Sequence, residues 1–128
     1  MSPRFVPASV TELQRSGLLA ELPGEQLARL AERMQREEVA AGSVVIHEGD
    51  ADDRFYVLLS GVAAVTQAER GPRRLLRPGE EFGEVAPAMG VARTATVTAV
   101  TPCVVASCDR QVFDELVRPL YADDEPPA

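Results

Sequence analysis

Apolar residues recur at helical spacing in the first third of the chain and at strand spacing in most of the rest. Residues 8–38 read as helices, with Ser9 or Thr11 placed to cap the first and Leu13, Leu18 and Leu19 on its apolar face. Pro23 opens a second helix. Leu27, Leu30, Ala31 and Met34 form its inner stripe, and Arg29, Glu32, Arg33, Arg36 and Glu37 its wet face. From Val39 onward the period shortens. Strand-like runs fall at 44–47, 55–59, 62–67, 73–76, 94–100 and 103–107. Turn residues separate them: Ala41-Gly42, Glu48-Gly49-Asp50, Ser60-Gly61, Gly71-Pro72 and Pro78-Gly79. Short strands at this spacing suggest a sandwich or roll. Asp109 is placed to cap a short helix over 111–117 that turns Val112, Phe113 and Leu116 inward, with Pro119 limiting it.

With 128 residues, 45% hydrophobic and 26% charged, the chain is sized for one globular domain with a modest core. That domain is expected over 1–118, and 119–128 is expected to be an acidic, proline-containing, disordered tail. A net charge of −7 without a visible basic stripe argues against nucleic acid and against an anionic membrane surface as partners. No run of 18 apolar residues occurs and the first residues lack an apolar signal core, so a cytoplasmic chain is expected. Cys103 and Cys108, five apart on one predicted strand, fall on opposite faces and are expected to remain free thiols.

Chemistry concentrates between Gly79 and Ala99. One acid, Glu84, and one base, Arg93, flank a short loop of small residues with strands on either side. A guanidinium fork, free backbone N–H groups and a carboxylate form the donor and acceptor set that a cyclic phosphate fused to a sugar requires. Enzymatic readings fare worse. His47 is the single histidine, too few for a cupin-type metal centre, and no nucleophile, base and orienting group form a recognisable set. Asp50, Asp52 and Asp53 lack the spacing and terminal glutamate of a calcium loop and read as a solvated turn. No enzyme and no metal are expected.

Phe82-Gly83-Glu84-Val85-Ala86 followed by Arg93-Thr94-Ala95-Thr96-Val97 resembles the phosphate-binding cassette of the cyclic-nucleotide-binding domain family, of the catabolite activator protein and protein kinase A regulatory subunit type. Ile46-His47-Glu48-Gly49-Asp50 leading into Phe55-Tyr56-Val57-Leu58 is similar to that family's upstream hairpin, and the match extends over about residues 12–118. The resemblance implies an α+β fold: N-terminal helices, an eight-stranded jelly-roll-like β-roll, a short cassette helix and a truncated C-terminal helix. It implies a ligand site made of Phe82, Gly83, Glu84, Val85, Ala86, Arg93, Thr94 and Ala95. In that site Arg93 takes the phosphate, and Glu84 takes the ribose 2′-hydroxyl and orients Arg93 when the site is empty. Gly83, Val85, Ala86 and Ala95 supply backbone N–H groups. The Thr94 hydroxyl can reach a guanine 2-amino group, so cGMP is admitted beside cAMP. Pro87-Ala88 stands where relatives often carry Leu-Leu, and the stretch after Arg118 is expected to be too short for a lid helix or a DNA-binding module. The implied function is non-catalytic sensing of a cyclic mononucleotide, signalled as a regulatory subunit to a protein partner or through self-association. The alternative is a degenerate roll kept as an interaction or assembly module.

Overall fold

The computed structural model describes residues 5–122. Eight strands form two antiparallel four-stranded sheets. In chain order they are β1 Gln35–Val39, β2 Val44–Ile46, β3 Phe55–Ser60, β4 Ala63–Gln67, β5 Gly71–Leu76, β6 Glu81–Phe82, β7 Thr96–Ala99 and β8 Cys103–Cys108. One sheet has the order β1-β8-β3-β6, the other β2-β7-β4-β5. The helices α1 Val10–Leu13, α2 Gly24–Arg33, α3 Val85–Met89, α4 Arg110–Val112 and α5 Arg118–Ala122 complete the α+β roll that the resemblance implies.

β3 is buried from Phe55 through Leu59 because both of its faces are covered. Phe55, Val57 and Leu59 join Leu13, Leu19, Leu27, Leu30, Met34 and Phe113 beneath the helices. Tyr56 and Leu58 point the other way and pack with Ile46, Leu76, Phe82 and Val97 between the sheets. β8 divides in the same manner: Cys103 belongs to the inter-sheet core and Cys108 to the helical one, so both thiols are free, as their odd spacing requires. Burial raises the Cys108 thiol to about 12.

The N-terminal caps follow the sequence. The Ser9 side chain accepts from the Glu12 N–H and the Glu12 side chain answers at the Ser9 N–H, a reciprocal box. The Asp109 side chain accepts from the Val112 N–H at 3.0 Å. Two local readings are corrected, and one strand had no reading. The second helix does not run to 38: Met34 turns extended (φ −94°, ψ 125°), and Gln35–Val39 pairs with β8 from Gln35↔Ser107 to Val39↔Cys103. The charges of Arg36 and Glu37 suit a wet helix face and a sheet edge equally, and pairing with β8 decides. β6, two residues long, escapes any periodicity test. Pro119 does not end the last helix. Phe113–Val117 forms a wider turn in which the Arg118 N–H reaches back five residues to Phe113 O, and Pro119 follows it as the second residue of α5. Of the expected tail, residues 119–122 are therefore helical, and 123–128 lie outside the described residues.

Candidate functional site

The site forms where β6 hands the chain to α3. Gly83 makes the turn at φ +77°, a conformation that disfavours any residue with a side chain. Space at Gly83 is equally restrictive. A Cβ there would lie 3.0 Å from Arg93 Nη1, 3.1 Å from Ile46 Cδ1 and 3.2 Å from Arg54 O. α3 closes on Gly90 at φ +68°. The loop after it brings Arg93 back beneath the turn, where two backbone bonds hold it: Arg93 N–H to Asp50 O at 2.8 Å, and Gly49 N–H to Arg93 O at 2.9 Å.

The Arg93 side chain is 3% exposed. Its Nη1 donates to Gly83 O at 2.9 Å, and its Nη2 donates to Arg54 O at 2.7 Å and to the Asp52 carboxylate at 3.0 Å. The guanidinium lies 5.9 Å from the centre of the Tyr56 ring. Nε is buried and has no partner. A buried charge without a counter-charge is costly, and here Asp52 supplies one. Burial raises the Asp52 carboxyl, but the Arg93 hydrogen bond and charge, with Arg54 helping, outweigh burial and hold it below its usual range.

That pairing corrects one reading. Asp52, not Glu84, pairs with the Arg93 guanidinium. In the sequence Asp52 is one acid of a solvated turn, 41 residues from Arg93, and only the fold joins them. Glu84 is half-buried at the start of α3 and makes no side-chain capping bond there, which leaves its carboxylate available to the cavity it lines.

That cavity, about 160 Å³ and open to solvent, is lined by all eight residues singled out in the sequence: Phe82, Gly83, Glu84, Val85, Ala86, Arg93, Thr94 and Ala95. Ile46, Val65, Arg74 and Val97 complete the lining, and sequence reasoning assigned none of them to the site. Phe82 stacks on Tyr56 at 5.1 Å and so stiffens the wall. In the first turn of α3 the Val85 and Ala86 N–H groups have no intrahelical partner. His47 is exposed on the preceding turn. Among the described residues no group of three or more His, Cys, Asp or Glu is gathered to hold a metal ion.

The far end of α3 is tied to the last helix. Arg118 donates to Pro87 O at 2.9 Å and to Ala88 O at 3.0 Å, and it pairs with Asp114 at 2.7 Å. Its guanidinium covers the Phe113 ring at 5.4 Å. Tyr121 packs on the other side of this core, 6.2 Å from Phe113, and is not part of the cavity lining. Its hydroxyl is buried without a partner. Burial, with smaller contributions from Glu84 and Glu81, raises it far above the usual phenol range.

The family model described as Cyclic nucleotide-binding domain matches residues 36–119. The cAMP-dependent protein kinase regulatory subunit of Yarrowia lipolytica is 38% identical over 109 residues, which cover 84% of this chain and 29% of that protein. The cGMP-dependent protein kinase egl-4 of Caenorhabditis briggsae is 31% identical over 125 residues, covering 88% of this chain and 17% of that protein. The chain thus spans less than a third of the length of these curated relatives. A solved structure, Sp-2Cl-cAMPS bound to PKAR CBD2, superposes with a TM-score of 0.80 at 25% identity, covering 88% of this chain and 76% of that one. The chain belongs to the cyclic nucleotide-binding domain family. Among the described residues no helix is long and apolar enough to cross a membrane.

Proposed function

We propose that the cavity over Arg93 binds the sugar-phosphate of a cyclic mononucleotide, cAMP or cGMP, without chemical change, and that occupancy is passed to a partner protein as it is by a regulatory subunit. The observation that carries this reading is Arg93 itself. A permanently charged fork is buried beside a cavity, held by two carbonyls and one carboxylate, with its Nε donor unpartnered. A phosphate diester entering the cavity finds that donor, the first-turn N–H groups of α3, and in Glu84 an acceptor for a ribose hydroxyl. The phosphate also brings the charge that now comes from Asp52, so the guanidinium keeps a counter-charge throughout. The names of the relatives support the ligand class: one is a cAMP-dependent kinase regulatory subunit, another a cGMP-dependent kinase.

The chain's own part in signalling is to hold the ligand and to move α3 and the helix joined to it. Calorimetric titration of the full chain with cAMP and cGMP tests the reading. Saturable one-to-one binding of either is expected. Heats indistinguishable from dilution for both would leave the roll as an interaction module.

A further inference from the structure

The two sheets leave a seam where β1 and β2 come together. Each is the end strand of its own sheet, β1 pairing with β8 and β2 with β7. Between them lies a cleft of about 400 Å³ whose lining includes Glu37, Val39, Ser43, Val45 and Tyr56. None of these residues lines the cavity over Arg93. Three features mark the cleft. The first is an open strand edge. In an antiparallel pair the backbone groups of a strand turn alternately toward and away from its neighbour. The Arg36 N–H turns away from β8 and donates to Val6 O, so the N–H and C=O of Glu38 turn away as well. Val6 and Pro7 cover the start of this edge, and among the described residues nothing pairs with it at Glu38.

The second feature is charge. Glu37 stands opposite Val105, which belongs to the inter-sheet core, so its side chain is on the same face as that of Tyr56. Cations close by are directed elsewhere, Arg36 to Glu12 and Arg54 to Ser107. The third is Tyr56 itself. It is 7% exposed and lines the cleft, and among the described residues its hydroxyl has no hydrogen-bond partner. Burial, then Asp52 and Glu37, raise its phenol against the opposing effect of Arg93 and Arg54, so the hydroxyl lies within the field of Glu37. A buried hydroxyl, a carboxylate and an unpaired strand edge together ask for an extended chain that carries a cation.

We propose that this seam docks an extended, basic segment of a partner protein, which pairs with the edge of β1 at Glu38 and places one arginine or lysine side chain against Glu37 and the Tyr56 hydroxyl. The seam is separate from the nucleotide cavity, and docking there does not require a nucleotide.

The probes are the blocked peptide Ac-Thr-Arg-Val-Arg-Thr-NH2, its acidic counterpart Ac-Thr-Glu-Val-Glu-Thr-NH2, and argininamide, which has the cation and no strand. The chain has two tyrosines and no tryptophan, so in the full chain carrying Tyr121→Phe the tyrosine emission comes from Tyr56 alone. Titration should show saturable binding of the basic peptide, with shifts in the Tyr56 emission and in the amide resonances of Glu37 to Val39. Argininamide should bind at least about tenfold more weakly, and the acidic peptide not at all. Glu37→Gln and Tyr56→Phe should each weaken the basic peptide about threefold or more, and Glu25→Gln on α2 should leave it unchanged. Equal losses from Glu37→Gln and Glu25→Gln would reduce the effect to general attraction toward a chain of charge −7 and overturn the proposal. So would argininamide binding as tightly as the peptide, or no binding of the basic peptide. A peptide that binds only after residues 1–4 are removed would put the chain's own N-terminus on the edge instead. A chain that sediments as a dimer alone and as a monomer with peptide would put a second copy there.

Discussion

Arg93 and Arg74 line one cavity, yet the side chain of the first is 3% exposed and that of the second 56% exposed. Arg93 is surrounded by Gly83 O, Arg54 O and Asp52; Arg74 has one carboxylate, Glu80, and water. A charge taken out of water interacts strongly with whatever replaces that water, and a charge left in water interacts weakly. The buried arginine can therefore hold a ligand tightly but cannot be altered without consequence. The exposed one interacts weakly with its surroundings and can be changed freely. One cavity thus holds a buried charge and an exposed one.

The largest test of this contrast is Arg93→Ala. Truncating one side of a buried charge pair costs about 2–5 kcal/mol, so nucleotide binding should weaken about 30-fold or more while the roll still melts cooperatively. Titration beside circular dichroism checks both, and an unchanged dissociation constant would remove Arg93 from the anion site. Next comes Gly83→Ala. The turn at φ +77° would carry a Cβ 3.0 Å from Arg93 Nη1. A side chain in that region costs about 1–2 kcal/mol, so the melting temperature should fall by about 5 °C or more, and binding should weaken with it because Arg93 is displaced.

Asp52→Asn should do less, since Asp52 is 42% exposed and water screens its pair with Arg93. Its effect is about 1 kcal/mol or below, and it carries a pH signature. The folded-state carboxyl titrates below the ordinary 3.8, so the pairing stabilises fully above that value and is lost as pH falls through the lower, folded one. Melts of the two proteins should differ by a constant amount near neutrality and converge in acid. A difference that grows on acidification would contradict the pairing. The smallest stability effect belongs to Arg74→Ala, within about 0.5 kcal/mol of the unaltered chain. A larger loss, measured by denaturant unfolding, would mean that Arg74 and its pair with Glu80 support the sheet.

Legibility in the sequence followed the range of the interactions. Ser9 and Asp109 cap from three residues away, and the sequence is enough to find them. β3 and β8 were legible as strand-like runs, but the covering of both faces of β3 was not. Phe82 to Ala86 and Arg93 to Ala95 are short segments whose chemistry is local, and all of them meet at the cavity. What stayed hidden depends on partners far along the chain. Gln35–Val39 becomes a strand only because β8 lies beside it. Asp52 is a plain turn acid until Arg93 reaches it. Arg74 becomes a cavity residue only through two successive strand registers. Pro119 was misread for a different reason: a proline rule written for regular helices does not anticipate the widened turn just before it.

The Arg118 contacts have a mechanical meaning. One guanidinium grips two successive carbonyls at the end of α3 and, through Asp114 and Phe113, the body of the last helix. Hydrogen bonds of 2.9 and 3.0 Å sit at the favoured N–H···O distance and are lost by about 3.6 Å. The joint therefore has almost no slack. When the cassette helix shifts, the C-terminal helix must travel with it or let go of two bonds at once, which makes the end of this domain a lever whose fulcrum is a single side chain.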